Sequence, residues 1–172
     1  QKALDVTPFD HLVINWQPEG HPPMIFAEQH FDFHLYKITL AEQMAIPSYT
    51  SAAAKFDSLP PSGFMPASYV DDPGGIPRMG KHWGDSAALS SFSHIMIYGS
   101  YNGQVHFVEP MITRALLQAG TKVNTSYAQP LNFEKAGKWY PTKYNIYLDQ
   151  KALDMDDQTH KHYVTLTNFV KR

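Results

Sequence analysis

The segment His30-Phe31-Asp32-Phe33-His34-Leu35-Tyr36 places two imidazoles and a carboxylate at every second position of the chain. Side chains alternate along a strand, so as a strand this segment would put His30, Asp32 and His34 on one face and an aromatic core face on the other. A metal ion is the simplest object that uses such a set of polar groups. The alternative is a buried hydrogen-bond network, and the spacing alone does not separate the two.

His30 and His34 cannot easily share one ion on a straight strand. Four residues separate Cα atoms by roughly 13 Å, which two imidazoles with metal bonds of about 2.0–2.1 Å only just bridge. A shared ion needs a bend or bulge between them, or a ligand set that uses only some of these residues. One such alternative is His30-x-Asp32 with a distant histidine, which has the composition of a two-histidine, one-carboxylate iron site.

Two distant residues complete the predicted metal-ligating set, which is His30, His34, His82 and Glu109. His82 lies in a Pro/Gly-rich segment that could fold over the strand face. Glu109 lies on an apolar hairpin, where a carboxylate needs a cation, a basic partner or a proton. The alternatives are an exposed His82 and a Glu109 paired with Arg114 or Lys81. His21, in a Pro/Gly turn, is a secondary candidate for the site, and the favoured interpretation is that its ring supports the site from outside.

A divalent transition metal is the predicted cofactor, with zinc expected first and iron, copper or manganese able to take the same ligands. If the site is catalytic, metal-activated water with Glu109 or Asp32 as general base is the natural mechanism. The sequence contains no Gly-x-Ser-x-Gly elbow and no phosphate-binding glycine loop. The absence of cysteine excludes thiolate zinc sites, disulfides and cysteine nucleophiles.

Patterns of alternating and β-branched residues predict a mainly β fold, an antiparallel sandwich or barrel with two short helices. The predicted strands cover residues 11–16, 31–39, 93–101, 104–109, 122–128, 144–148 and 162–170. The predicted helices cover 51–59, capped by Ser51, and 110–119, begun by Pro110.

The dipeptide Asn102-Gly103 predicts a two-residue hairpin turn, because both residues tolerate positive φ. In the simplest register Tyr101 faces Gln104, and Met96 then opposes Glu109. That register predicts Glu109 on the same face as Met96 and Tyr98, with His94 diagonal to it.

The 172 residues fit one domain, 1–172, with a full hydrophobic core. A Pro/Gly-rich segment at about 60–91 is long for a loop and is predicted to cover a site. The formal net charge of −2 offers no basic field for nucleic acid. No apolar run reaches the ~20 residues that a bilayer span needs. A chain that begins at Gln1 fits either a trimmed form of the protein or a mature protein whose signal peptide has been removed.

Six motifs recur in an order that resembles a poorly characterised family of exported bacterial proteins, which includes a sigma-E-regulated oligomeric β-protein. They are Pro18-x-Gly20-His21, His30-Phe31-Asp32-Phe33-His34-x-Tyr36, Met79-Gly80-x-His82-Trp83, Tyr98-Gly99-x-Tyr101-Asn102-Gly103, Phe107-x-Glu109-Pro110-Met111-Ile112-Thr113 and Tyr140-Pro141-x-x-Tyr144. The resemblance covers about residues 12 to 170. It implies a β-rich fold, a periplasmic or extracellular location, homo-oligomers and a convergence of the polar motif residues, but no established activity. The stretch Pro22-Pro23-Met24 departs from the more acidic one typical of the family.

Two functions are consistent with these observations. The first is an exported metal-binding protein, a metal-dependent hydrolase or an oxygen-using enzyme, acting on a small molecule. The second is a non-catalytic, oligomeric envelope or stress-response protein that binds a small apolar ligand. In that case the histidines form a structural network and the aromatic residues form subunit contacts.

Overall fold

The computed structural model describes residues 5–88, 91–149 and 161–172. It confirms a mainly β fold, with nine strands in two antiparallel sheets and three helices. The strands are β1 His11–Gln17, β2 His30–Tyr36, β3 Tyr69–Asp71, β4 Lys81–Asp85, β5 His94–Tyr101, β6 Gln104–Thr113, β7 Val123–Ser126, β8 Trp139–Asp149 and β9 Lys161–Lys171. Within these ranges the sheets form a sandwich-like arrangement rather than a closed barrel.

One sheet has six strands in the order β1-β2-β6-β5-β4-β3, and the other has three in the order β7-β8-β9. Each predicted strand is present, although β8 begins well before the predicted residue 144. Strands β3 and β4 were not predicted. They lie inside the Pro/Gly-rich segment 60–91, which is therefore not a structureless loop; residues 89 and 90 of that segment lie outside the described ranges.

The alternation predicted for β2 is confirmed, since every second side chain from His30 to Tyr36 is buried. We call the side of the large sheet that carries His30, Asp32 and His34 the site face, and the other side the core face. The core face packs against the small sheet through a cluster that contains Met96, Tyr98, Val108, Ile112, Tyr144 and Ile146. Burial of these side chains is the main stabilising term of the fold.

The hairpin at Asn102-Gly103 is confirmed, with Tyr101 opposite Gln104, but the predicted register beyond it is wrong. A bulge between Gly99 and Ser100 shifts the pairing by one residue, so Glu109 faces Ile97 rather than Met96. A one-residue shift moves side chains to the other face. Glu109 therefore lies on the site face, opposite to the predicted side.

The helices also differ from the predictions. The first, α1 (Leu40–Met44), was not predicted, although Thr39 and Glu42 form a capping box at its start. The second, α2 (Tyr49–Phe56), begins two residues before the predicted cap. The third, α3, covers only Arg114–Gln118, because residues 110–113 continue β6 and the Thr113 side chain caps the helix. The prediction that Pro110 begins a helix is wrong, because this proline lies inside β6.

No helix in the described ranges has both the length and the apolar character that a membrane crossing requires.

Candidate metal centre

A cavity of about 520 Å³ lies against the site face of the large sheet. This volume is typical of small-molecule sites. Much of its wall is apolar and comes from two covering segments around residues 22–26 and 70–79, including Pro22, Ile25, Phe26, Val70, Ile76 and Met79. Its polar lining comes largely from the sheet and one turn: Gln17, His21, Asp32, His34, His82 and Glu109. The Pro/Gly-rich segment thus contributes both to this wall and, through His82, to the polar lining.

Three of the predicted ligands converge in this cavity. His34 on β2, His82 on β4 and Glu109 on β6 each offer a ligand atom, and these atoms all lie within 4.8 Å of one another. The His34 Nε2 atom is 3.3 Å from Glu109 Oε1, and His82 Nε2 is 3.7 Å from Glu109 Oε2. One face of the sheet brings together residues that lie far apart in the sequence: β2 and β6 are neighbours, and β5 separates β6 from β4.

Two residues of this group, His34 and Glu109, are deeply buried and carry polar atoms that lack hydrogen-bond partners. The His34 and Glu109 residues are 1% and 2% exposed. Both ring nitrogens of His34 and the Oε2 atom of Glu109 make no hydrogen bond within the described part of the chain. Buried polar atoms are rarely left without a partner, because each one costs about 1–3 kcal/mol. A cation between the two residues would supply the missing interactions of His34 Nε2 and Glu109 Oε2, the atoms that face the group.

The electrostatics of the group favour a cation as well. Burial lowers the pKa of His34 to about 4 and that of His82, with help from neighbouring imidazoles, to about 3. Both rings are therefore neutral near pH 7, with lone pairs free to bind a metal. Burial, together with the charge of Asp32, raises the pKa of Glu109 well above its ordinary range. A bound cation would offset the cost of ionising this carboxyl group.

Pro110 shapes the strand pair that carries this group. The ladder between β2 and β6 pairs Asp32 with Met111 and Leu35 with Val108, but it is interrupted between these two pairs. A proline has no N–H to donate, which accounts for an interruption beside it. His34 and Glu109 therefore lie side by side where β2 and β6 are not joined by ladder hydrogen bonds.

The Phe107 ring supports both histidines of the group. Its centroid lies 5.0 Å from that of His34 and 5.3 Å from that of His82. The ring occupies the space that a side chain at Gly99, its partner on β5, would fill. Gly99 thus permits the packing that holds the two imidazoles in place.

His30 does not join His34, His82 and Glu109, so the predicted set of four is divided. Instead His30 forms a second group with Asp32 and His21, whose ligand atoms also lie within 4.8 Å of one another. The physical reason is the strand spacing: residues of one face that are four apart remain distant on a regular strand. This group has the composition of the alternative ligand set given in the sequence analysis, His30-x-Asp32 with a histidine from another part of the chain.

The structure places His21 in the cavity wall, rather than outside the site as predicted. Gly20 has a positive φ of 62° and approaches the backbone of Ala27 too closely for any side chain. The His21 N–H then donates to the Phe26 carbonyl oxygen at 3.0 Å. This closed turn carries the imidazole back to β2. The Gly20-His21 pair was the available signal, because glycine readily adopts a positive φ and has no side chain to meet the Ala27 backbone.

The basic partners considered for Glu109 are engaged elsewhere. Arg114 donates to the side-chain oxygen of Gln29 at 3.0 Å, and Lys81 forms an ion pair with Asp71 at 3.0 Å. His94 lies on the core face, where its Nδ1 atom is 2.7 Å from the Tyr144 hydroxyl. A basic side chain therefore does not account for the buried Glu109 carboxylate.

Both predicted general bases, Glu109 and Asp32, line the same cavity. Burial opposes the ionisation of Asp32, but the adjacent His30 imidazole and the hydrogen bond from Gln17 prevail and lower its pKa. No family model matches the chain, and no match was found among curated proteins or solved structures. The chemistry of the site is therefore argued from its own geometry.

Proposed function

We propose that this protein binds a divalent transition metal ion, zinc in the first place, through His34, His82 and Glu109. The observation that carries the proposal is the convergence of three ligand atoms from three strands, with His34 and Glu109 buried and carrying unsatisfied atoms. Two neutral imidazoles and one carboxylate form a ligand set that zinc, iron, copper and manganese all accept.

The separations support a small ion. Donor atoms at about 2.0–2.2 Å from a tetrahedral zinc ion lie about 3.3–3.6 Å from one another. Glu109 Oε1 lies 3.3 Å from His34 Nε2, within this range, and Glu109 Oε2 lies 3.7 Å from His82 Nε2, just above it. All three residues line the cavity, so an ion held by them would keep a coordination position open towards it. Three protein ligands with an open position are typical of catalytic sites, not structural ones.

The cavity favours a small molecule with an apolar body and one polar group. Its apolar wall would bury the body, and the polar group would lie near the ligands on the site face. A metal in this position supplies a Lewis acid and a more acidic bound water. Asp32, whose pKa is lowered and which lines the same cavity, is the candidate general base in the form of the protein in which it holds no ion itself. Both hydrolysis and oxygen-dependent chemistry are consistent with this arrangement.

Metal analysis of the purified protein tests the proposal directly. We expect stoichiometric metal in untreated protein and recovery of zinc by the chelator-treated protein in calorimetric titration. His34→Ala and His82→Ala should each weaken zinc binding at this site by at least tenfold, because three ligands become two. His162→Ala is the matched control, since His162 is exposed and contacts the Leu117 carbonyl oxygen instead. Equal affinity in all variants would contradict the proposal.

One observation favours the second function, an oligomeric protein of the cell envelope. Strand β1 is an edge strand whose core face exposes a row of large apolar side chains, Leu12, Ile14 and Trp16, at 40–54%. Such a row on an uncovered edge strand is typical of a contact between subunits. Metal-free protein whose stability is unchanged in His34→Ala and His82→Ala would support this function. Export remains a prediction, which fractionation of cells that express the full-length gene would test.

A further inference from the structure

We infer that the cavity holds a second metal site, formed by His21, His30 and Asp32, beside the one proposed above. The three residues come from the turn after β1 and from β2, and their ligand atoms lie within 4.8 Å of one another. Like the first group, they combine two imidazoles with one carboxylate, a ligand set suited to divalent transition metals. The two groups share no residue.

The second group leaves its own buried atoms without partners. His30 and Asp32 are 0% and 2% exposed, and neither His30 Nε2 nor Asp32 Oδ1 makes a hydrogen bond within the described residues. These two atoms are 3.2 Å apart, close to the separation of two donors on one metal ion. A proton shared by His30 and Asp32 would satisfy these two atoms. It would not explain why a His21 ring nitrogen also lies within 4.8 Å of a ligand atom of each residue.

The outer contacts of the group orient it for an ion. The His30 Nδ1–H group donates to the Glu28 carbonyl oxygen at 2.6 Å, which leaves Nε2 turned towards Asp32 Oδ1. The His21 Nδ1–H group donates to the Pro22 carbonyl oxygen at 2.7 Å, which leaves Nε2 as the free acceptor of that ring. Metal-bound histidines commonly donate their second ring N–H to a carbonyl oxygen, and this bond fixes the ring.

Gln17 fixes the carboxylate in the same way. Its side-chain amide donates to Asp32 Oδ2 at 2.8 Å, which leaves Oδ1 for the ion. Both sites open onto one cavity, because Asp32 and His21 line it together with His34, His82 and Glu109. Adjacent residues on one face of a strand lie about 6.6 Å apart, so the two ions would sit side by side along β2.

Metal stoichiometry tests the inference. After chelation and dialysis, the protein is titrated with Zn²⁺ by calorimetry and the bound metal is counted by elemental analysis. We expect two ions per chain in the wild type and one in His21→Ala. His82→Ala should also bind one ion, and the double variant should bind none. His162→Ala is again the control, and Asp32→Asn should reproduce the loss seen in His21→Ala.

The outcomes separate the two proposals. One ion per chain, lost in His82→Ala and retained in His21→Ala, would overturn the second site and leave the first intact. Two ions in both the wild type and His21→Ala would also overturn it. No bound ion would overturn both. Since His21 is only partly buried and lies in a turn, its replacement should leave the fold intact, which circular dichroism checks.

Discussion

Replacement of Glu109 by glutamine distinguishes a metal site from a buried ion pair. The side chain is 2% exposed, and its Oε2 atom has no hydrogen-bond partner in the described residues. Glutamine keeps the shape but removes a carboxyl group whose pKa is raised by burial. In metal-free protein, Glu109→Gln should therefore be at least as stable as the wild type, because the variant buries no charge. If Glu109 were instead the partner of a protonated histidine, the same change would cost about 3–5 kcal/mol.

The effect of Glu109→Gln on stability changes sign when zinc is added. An ion present at about 100 times its Kd adds about 2.7 kcal/mol to the free energy of unfolding. For a chain of 172 residues, each kcal/mol raises Tm by about 2–4 °C, so the ion at this site should add about 5–11 °C. Glu109→Gln should lose most of this increment, since one of three ligands and the only negative charge among them are gone.

Thermal unfolding at pH 7, followed by circular dichroism with chelator and with zinc, measures both effects. Glu19→Gln is the matched control, because Glu19 is exposed in the turn after β1. The control should keep the wild-type Tm in both conditions. A Glu109→Gln variant that loses several kcal/mol without metal, yet keeps the full response to zinc, would refute the reasoning.

Three further predictions concern the fold and the assembly. Burial lowers the pKa of His106 to about 4, so its contribution to stability is complete above about pH 6.5 and is lost as the pH falls towards 4. The free energy of unfolding falls by at most about 3 kcal/mol for this reason. Urea unfolding at pH 7 and pH 4.5 should show a smaller fall in His106→Gln than in the wild type, and an equal fall would contradict this. Gly99→Ala places a methyl group against the Phe107 ring and should lower the free energy of unfolding in urea by about 1–3 kcal/mol. Phe107→Leu should partly restore it, and an unchanged urea midpoint in Gly99→Ala would show that the ring moves freely. Ile14→Lys should lower the mass of a homo-oligomer measured by light scattering while Tm is kept, and an oligomer of unchanged mass would exclude this face as the contact.

Much of the fold could be predicted because its signals are local. The alternation along β2 and the Asn102-Gly103 turn each depend on a few consecutive residues, and both are confirmed. The capping box of Thr39 and Glu42 was an equally local signal, so α1 could have been found in the sequence. The misplaced helix start at Pro110 has another cause. A proline at that position fits a helix start by local preference, and only the strands on both sides of β6 decide against it.

The β architecture and the types of ligand on β2 can be predicted from the sequence, because strand periodicity is a property of adjacent residues. Which of these ligands lie close together depends on contacts between distant segments of the folded chain. The bulge at Gly99 and Ser100 turns Glu109 towards His34 and His82, and the turn at Gly20 brings His21 to His30 and Asp32. Both results depend on register and chain reversal between distant segments, where one residue of shift changes the face on which a side chain lies. For that reason one predicted set of ligands became two groups in a common cavity.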